Sequence, residues 1–376
     1  GKSGGKLGSK VLQKLSEVLP SENVYDLMDA PIGPEKGLKK YKDLSKVKII
    51  AAGGDGTVAW ILSALDKTGV DPDNFPIVGV LPLGTGNDMS RILKWGGSYT
   101  GGDLKSFITN VKEHSMPIRL DRWKVTAIPL KDHEVDSDCE SCSDAESDAK
   151  KKKAPKKKEA KKDAKKEGQE EPKELHLVCN NYFSLGIGAS IIKDYEEFRN
   201  KHKGLVTNRT VGLGWYGLLS VNRMVKPHSS LRKIVSVKLD GKDLAIPKEV
   251  QEFTILNIPS YMGGADTWGK YKNTKGQKSE PRINDKQFEI VGFKGVSHLG
   301  RVKAGISASG GVRIGQGQVV EITNHRTLNA QIDGEPLLLP PCKITIEHHN
   351  QSNMLLNMSG GTKDEKWMKK LIGDQP

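Results

Sequence analysis

The feature that most constrains the fold is an apolar, β-branched run, residues 47–52, that ends in the turn Gly53-Gly54-Asp55-Gly56-Thr57. An apolar segment with helical character, residues 58–65, follows at once. This order predicts a strand, a tight turn and a helix, and ligands bind at such turns in open α/β sheets. Glycine lets the backbone approach a bulky anion, and a helix N-terminus offers N–H groups to it. The turn is therefore either a phosphate site with Asp55 in its floor or a structural turn alone.

A second strand, turn and helix are predicted at residues 76–93, where an apolar run leads into Leu83-Gly84-Thr85-Gly86-Asn87-Asp88. Gly84 follows Gly53 by 31 residues, so the two turns can lie side by side at neighbouring strand ends. The Thr85 hydroxyl and the Asn87 amide can donate to phosphate oxygens. Asn87 can also cap the helix that follows. Together, the two turns favour a phosphate site.

The remaining sequence predicts a second, mainly antiparallel β domain, because short apolar runs are separated by Gly, Asn or Pro. The expected domains are residues 1–120 (α/β), 121–343 (β-rich) and 344–376, a C-terminal segment that packs back on the first domain. Residues 131–174 are expected to be a disordered insert, since neither its acidic half nor its lysine-rich half can bury apolar area. The predicted helices are residues 7–19 and 36–44, and the predicted strands include residues 23–27, 234–239, 252–256, 288–291, 300–304, 319–322, 330–332 and 344–348.

Charge and cysteine content restrict the partners and the compartment. The formal net charge of +13 suits nucleotides, anionic lipids or nucleic acid. The lysines of residues 150–158 are a nuclear signal, a membrane-charge patch or a solvated loop. No aromatic residues interleave with them, which argues against nucleic acid. Sparse cysteines favour reduced, intracellular thiols, and no apolar run reaches the ~18 residues of a membrane span. Because the chain starts at Gly1, a first strand or upstream domains are expected to be missing.

Two carboxylates flank a glycine in Gln331-Ile332-Asp333-Gly334-Glu335-Pro336, at the end of a predicted strand. Such a pair can orient hydrated Mg²⁺ and take a proton from a hydroxyl. The same residues can instead form an Asp-Gly hairpin turn. A glycine loop at residues 256–264 also leaves a strand and is either a turn or a ligand contact.

In this order the motifs resemble the catalytic region of eukaryotic diacylglycerol kinases, lipid kinases related to sphingosine kinases and NAD kinases. The resemblance spans residues 3 to about 355 apart from the insert. Its motifs are Ser3-Gly4-Gly5, the two glycine turns, Leu120-Asp121-Arg122-Trp123, Asn180-Asn181-Tyr182-Phe183-Ser184, Leu256-Asn257-Ile258-Pro259-Ser260-Tyr261, Ser297-His298-Leu299-Gly300 and Ile332-Asp333-Gly334-Glu335-Pro336.

The resemblance implies an α/β domain similar to NAD kinases and 6-phosphofructokinases, a β-sandwich second domain, and ATP-Mg²⁺ in the cleft between them. It implies phosphorylation of the primary hydroxyl of 1,2-diacylglycerol to phosphatidic acid by a cytoplasmic protein peripheral at membranes, with nuclear entry through the insert as an option. Glu335 is the first choice of base, with Asp333 holding Mg²⁺ or its waters; Asp55 is the rival base and a further metal-holding carboxylate. The residues expected around the phosphates are Ser3, Lys6, Gly53, Gly54, Gly56, Thr57, Gly84, Thr85, Gly86 and Asn87.

Two positions depart from the family pattern. Members usually have Asp where Gly188 stands and Gly where Lys286 stands. These changes bring a metal-linked or turn interaction of the second domain into question and leave both glycine turns intact. A sphingosine or ceramide kinase is the nearest alternative, although Gly53-Gly54 favours the diacylglycerol branch. A catalytically silent ATP- or lipid-binding scaffold is the alternative that Gly188 raises.

Overall fold

The structure is a computed structural model that describes residues 7–27, 33–41, 47–70, 76–131, 173–202, 205, 209–224, 230–269, 279–306 and 310–374. Ser3, Lys6 and the lysine-rich part of the insert lie outside the described residues. Among the helices that are described, none is long and apolar enough to cross a membrane.

Helices and strands alternate in the first part of the chain, whereas strands dominate the second. The helices are α1 (Leu7–Val18), α2 (Glu35–Tyr41), α3 (Asp55–Asp66), α4 (Asp88–Ile92), α5 (Leu104–Glu113), α6 (Ile187–Lys201), α7 (Arg209–Met224), α8 (Val296–Lys303) and α9 (Thr362–Ile372). The strands are β1 (Lys48–Gly53), β2 (Ile77–Pro82), β3 (Ser115–Pro129), β4 (Leu175–Cys179), β5 (Tyr182–Gly186), β6 (Val235–Leu239), β7 (Lys242–Asp243), β8 (Glu252–Leu256), β9 (Phe288–Phe293), β10 (Val312–Gly317), β11 (Val319–Asn324), β12 (Leu328–Ile332), β13 (Glu335–Leu339) and β14 (Cys342–Asn357).

The larger sheet of the described residues joins both parts of the molecule. Its order is β1-β2-β14-β11-β6-β7, and β3 pairs with β14 and with β4. Strands β1 and β2 are parallel neighbours. The end of β14 runs parallel to β2 through the pair Met354 and Val78, while its beginning lies antiparallel to β11. β14 also pairs antiparallel with the whole length of β3. The two halves therefore share one continuous sheet.

The first core lies around β2 and α3. Helix α3 places Val58, Ile61, Leu62 and Leu65 on one buried face, with the spacing of an amphipathic helix. The same core contains two segments from the far end of the chain: residues 354–356 of β14, and residues 371–372 of α9. The α/β part therefore depends on the C-terminal residues for its interior.

The second core lies between the antiparallel part of the large sheet and a second sheet, whose order in the described residues is β10-β9-β8-β5-β12-β13. Trp123 and Ile344 from the first sheet meet Phe183, Phe253 and Phe288 from the second. This arrangement is a sandwich, so the predicted combination of an α/β part with an antiparallel β part is confirmed.

Several element predictions were wrong. Residues 300–303 belong to α8 and Ala304 is its C-cap, so this segment is not a strand; Leu299 and Val302 pack on one buried helical face. The strand expected at residues 23–27 is absent there, where a 3-10 turn at Ser21–Asn23 leads into irregular backbone. A single 15-residue strand, β3, replaces the short strands expected near residue 121.

Candidate active site

The two glycine turns touch each other at the ends of β1 and β2. Gly53 is paired with Pro82, and Leu83 N–H donates to Gly53 O at 2.9 Å. A Cβ built on Gly84 would lie 2.5 Å from Gly54 Cα, so the backbones approach too closely for a side chain. The sequence-predicted phosphate residues of both turns therefore form one continuous surface.

The first turn runs directly into the N-terminus of α3. Thr57 N–H and Val58 N–H already donate to Gly54 O. The amides of Asp55 and Gly56 stand in the first helical turn, where a helix supplies no acceptor of its own. The Thr57 side chain lies against Gly53, since a Cβ built there would be 2.2 Å from Thr57 Oγ1. Gly56 and Thr85 are exposed. This surface suits an anion because it offers N–H groups and a helix dipole.

Asp55 ties the first turn to the second. Its carboxylate accepts the Asp88 N–H at 2.9 Å and the Met89 N–H at 3.2 Å, at the start of α4. Burial and the nearby Asp88 carboxylate raise the pKa of Asp55 to about 7, although these two amide bonds oppose the shift. Asp55 is therefore a brace between the two turns whose charge state is sensitive near neutral pH.

Asn87 holds the second turn in shape. Its Nδ2 donates to Gly84 O at 2.8 Å and to Gly97 O at 2.9 Å. Its backbone is left-handed, with φ +53°, and its side chain makes no capping bond to α4. Both amide hydrogens are thus used within the loop rather than directed to a ligand.

Asp88, which the sequence reading did not select as a site residue, joins the two domains. Its buried carboxylate accepts Ser260 Oγ at 2.5 Å, the N–H groups of Gly263 and Gly264 at 2.8 Å, and Tyr182 Oη at 3.3 Å. The glycine loop noted at residues 256–264 is thus the partner of the second turn. Its hydrogen bonds hold the second domain against the second glycine turn.

Asp333 occupies a two-residue hairpin turn between β12 and β13. Asp333 and Gly334 both have left-handed backbones, with φ +52° and +90°, as an Asp-Gly type I′ turn requires. The carboxylate accepts the N–H groups of Asn180 at 2.9 Å, Asn181 at 2.7 Å and Tyr182 at 3.1 Å. Burial raises the pKa of Asp333, and these amides act against the rise. Both carboxylate oxygens are engaged by the β4–β5 turn.

Glu335 belongs to the second domain and lies beside the first glycine turn. A Cβ built on Gly56 would be 3.5 Å from Glu335 Oε1. The side chain is exposed, and no donor from the described part of the chain is hydrogen-bonded to its carboxylate. Partial burial raises the pKa of Glu335, and the negative charge of Glu196 raises it further, whereas the positive charge of Arg199 lowers it. Glu335 is therefore an accessible carboxylate beside the predicted phosphate surface.

Two basic side chains near Gly86 were not predicted as site residues. Lys303 of α8 donates to Gly263 O at 2.9 Å and also to Met262 O, and a Cβ on Gly263 would lie 3.3 Å from Lys303 Nζ and 3.4 Å from Gly86 O. Arg91 Nε donates to Gly86 O at 3.4 Å. Lys303 was missed because residues 300–304 were predicted to form a strand. Arg91 could have been predicted, because it is a basic residue in the helix that follows the second glycine turn.

The structure accounts for both departures from the family pattern. Gly188 N–H donates to Glu252 Oε2 at 2.9 Å, and a Cβ at Gly188 would lie 2.3 Å from that oxygen. The carboxylate of Glu252 thus fills the space beside Gly188. Lys286 has φ +57°, which explains why glycine suits this position, and its N–H donates to Asp121 Oδ2 at 2.6 Å.

The donor chemistry fits Mg²⁺ held chiefly by phosphate and water. Within the described residues, no group of three or more His, Cys, Asp or Glu side chains could hold a metal ion. Mg²⁺ in phosphoryl-transfer sites commonly takes one or two carboxylates, with waters and substrate phosphates completing the octahedron. Asp55, Asp88 and Glu335 all stand at the glycine turns. Asp55 accepts two backbone N–H groups, whereas Asp88 and Asp333 each accept at least four hydrogen bonds, so Asp55 and Glu335 are the carboxylates with more capacity for a cation.

Comparison with known proteins places this arrangement in a family. Residues 1–120 match the family model "Diacylglycerol kinase catalytic domain" and residues 178–336 match "Diacylglycerol kinase accessory domain". The Caenorhabditis elegans protein "Probable diacylglycerol kinase 3" is 33% identical over 98% of the chain, and mouse diacylglycerol kinase theta is 32% identical over 90% of it. The chain belongs to the diacylglycerol kinase family.

The relatives are longer, and a solved structure supports the fold. The chain spans 44% of the worm protein and 32% of the mouse protein. A crystal structure of a Bacillus anthracis str. Sterne protein, provisionally described as a diacylglycerol kinase, superposes with a TM-score of 0.50 at 17% identity. The superposition covers 93% of this chain and 92% of that one. At this identity the likeness supports the fold alone.

Proposed function

We propose that the chain transfers the γ-phosphoryl group of ATP to the primary hydroxyl of 1,2-diacylglycerol and so forms phosphatidic acid. The observation that carries the proposal is the position of Glu335. A carboxylate from the second domain stands beside Gly56, at the first glycine turn. Family membership supports the substrate class, and the position of Glu335 supports a proton acceptor beside the proposed phosphate surface.

The glycine turns would bind the ATP phosphates. The amides of Asp55 and Gly56 and the dipole of α3 would face phosphate oxygens, with the exposed Thr85 hydroxyl as a further donor. Lys303 and Arg91 would add positive charge near Gly86. Mg²⁺, when bound, would neutralise phosphate charge, and Asp55 and Glu335 are the groups that could hold it or its waters. Phosphoryl transfer depends mainly on such alignment and charge neutralisation.

Glu335 would act as the general base. An alcohol is a weak nucleophile at neutral pH, so its proton must pass to an acceptor as the oxygen attacks phosphorus and the bond to ADP breaks. Glu335 is accessible, and its pKa is raised towards the range in which a carboxylate accepts a proton well. Asp55 and Asp333 would position the turns, because Asp55 accepts two backbone N–H groups and Asp333 accepts three. The protein would work at a membrane surface, where its lipid substrate lies.

In the test, the purified chain is incubated with labelled ATP, Mg²⁺ and mixed micelles that contain diacylglycerol, sphingosine or ceramide, and the labelled lipid is identified. We expect label in phosphatidic acid alone, and a loss of about 10²–10⁴-fold in kcat for Glu335→Gln. Glu321→Gln is the matched control, because Glu321 pairs with Lys343 on the large sheet. Label in a sphingoid product would replace the substrate assignment, and ATP binding without any labelled lipid would support a silent scaffold.

A further inference from the structure

Helix α7 has one packed face and one exposed face. Trp215 packs on Phe198 of α6 with ring centroids 4.4 Å apart, and Tyr216 packs on Tyr195 at 5.7 Å. On another side of the helix, Val211, Leu218 and Val221 are 36%, 55% and 53% exposed. Their spacing of seven and three residues places them in one stripe. Water contact for several large apolar side chains in one stripe is a sign of a binding surface.

The exposed stripe continues beyond these three side chains. Gly214 lies on the same stripe, and nothing in the described part of the chain comes within 4 Å of a Cβ built there. We call Val211, Gly214, Leu218 and Val221 the α7 stripe.

The sequence around the α7 stripe is strongly basic. Residues 198–239 contain no Asp or Glu, although the chain as a whole has 46 of them. The basic residues in this stretch are Arg199, Lys201, Lys203, Arg209, Arg223, Lys226, Arg232, Lys233 and Lys238. A helix with an apolar face in a cationic setting is typical of segments that lie flat on an anionic lipid surface. Charge complementarity therefore favours anionic lipid as the occupant.

The position of α7 connects the α7 stripe with the candidate active site. Helix α6, on which α7 packs, follows β5 directly and carries Glu196 and Arg199, whose charges act on Glu335. Helix α7 also contacts α8, which carries Lys303 beside the second glycine turn. Helix α7 is thus in direct contact with the helix whose charges act on Glu335 and with the helix that carries Lys303.

We propose that α7 is an interfacial helix, whose stripe enters the headgroup region of an anionic lipid surface to which the positive charge of residues 198–239 is attracted. This deepens the proposed function, on which it rests for its purpose, by naming the surface that faces the membrane. The binding itself needs no ATP and no turnover, so it can be measured separately.

The test is sedimentation with sucrose-loaded vesicles of phosphatidylcholine, with and without about one third phosphatidic acid. The variant is Leu218→Gln with Val221→Gln, and the matched control is Ile128→Gln with Val319→Gln, two exposed apolar residues on the large sheet. We expect the α7 variant to lose about tenfold or more in partition to anionic vesicles, with the control within about twofold of the original chain. Binding of the original chain should also weaken from about 0.05 to 0.5 M NaCl.

Three results would overturn the proposal. The first is that the original chain does not bind anionic vesicles, and the second is that the α7 variant and the control lose the same amount of binding. The third is that the α7 variant has the melting temperature of the original chain and binds the vesicles equally well. A dimer in light scattering that the α7 variant converts to monomer, with vesicle binding unchanged, would assign the stripe to a second copy of the chain. Phosphorylation of a short-chain, water-soluble diacylglycerol is measured in parallel. Its absence would contradict the proposed function and leave the vesicle result standing.

Discussion

Gly188 and Glu252 should behave as one unit, because the carboxylate occupies the volume that a side chain at residue 188 would need. An ideal Cβ at Gly188 lies 2.3 Å from Glu252 Oε2 and 2.5 Å from Oε1. Glu252 is fully buried and accepts Gly188 N–H, Thr254 Oγ1 and Tyr261 Oη. Burial raises its pKa to about 7. The perturbation is therefore Gly188→Ala, which adds a single methyl group at this contact.

Two effects of opposite sign act on this variant. Alanine in α6 should stabilise the helix by about 0.5–1 kcal/mol relative to glycine. Overpacking a buried site costs about 1–3 kcal/mol, and displacement of the carboxylate from its donors adds to that cost. We expect a net destabilisation of about 1–3 kcal/mol. Gly300→Ala in α8 is the control, since a Cβ there meets nothing within 4 Å in the described structure and should be neutral or stabilising.

The double variant isolates the contact. Glu252→Ala alone should destabilise by about 2–4 kcal/mol, because it leaves a cavity and buried donors without an acceptor. In Gly188→Ala with Glu252→Ala the new methyl group enters the vacated space, so the two costs should fall short of additivity by about 1–2 kcal/mol. Urea denaturation followed by circular dichroism measures all four proteins. A Gly188→Ala protein at least as stable as the original, or strict additivity, would refute the argument.

The other predictions concern the same carboxylates and turns. Asp88→Asn should destabilise by about 2–5 kcal/mol, since two backbone amides and two hydroxyls lose a charged acceptor; a melting temperature within a degree or so of the original would contradict this. Lys286→Gly should stabilise by up to about 1 kcal/mol by relieving a left-handed backbone, whereas Lys294→Gly, with no such backbone, should not. The pKa of Asp55 is about 7 in the folded chain against 3.8 as its ordinary value, so the folded state holds more protons between these values and stability should fall as pH rises through them. Asp55→Asn should flatten that dependence in urea titrations at pH 5 to 8, and an unchanged slope would exclude Asp55 as its source.

The glycine turns were predictable because the residues that form each of them are neighbours in the sequence. A β-branched run, glycines with one acid and an apolar helical segment specify strand, turn and helix within about 20 residues, and the parallel pairing of β1 and β2 brings the two turns together. The sandwich was predictable for a similar reason, since short apolar runs bounded by Gly, Asn or Pro mark strands.

What the sequence could not show is how groups distant along the chain are shared. Asp88 and Gly263 are 175 residues apart and meet only in the folded protein. The roles of Asp333 and Asn87 likewise depended on which donors and acceptors the fold brings to them. In α8 the pattern was misread because the segment is too short for its periodicity to separate a helix from a strand; the spacing of Leu299 and Val302, three residues apart, is that of one helical face.

The pairing of β3 with β14 has a consequence for how the chain can be divided. These strands are matched from Pro129 with Cys342 to Ser115 with Asn357, and they pass through both cores. A fragment that ends near residue 120 would lose Leu355 and Leu356 from the interior of the α/β part. The second part, expressed alone, would keep half of a strand whose remaining apolar residues face water. Neither piece should fold alone, so chimeras that exchange the two halves between relatives should fold only when β14 comes from the same relative as the first half.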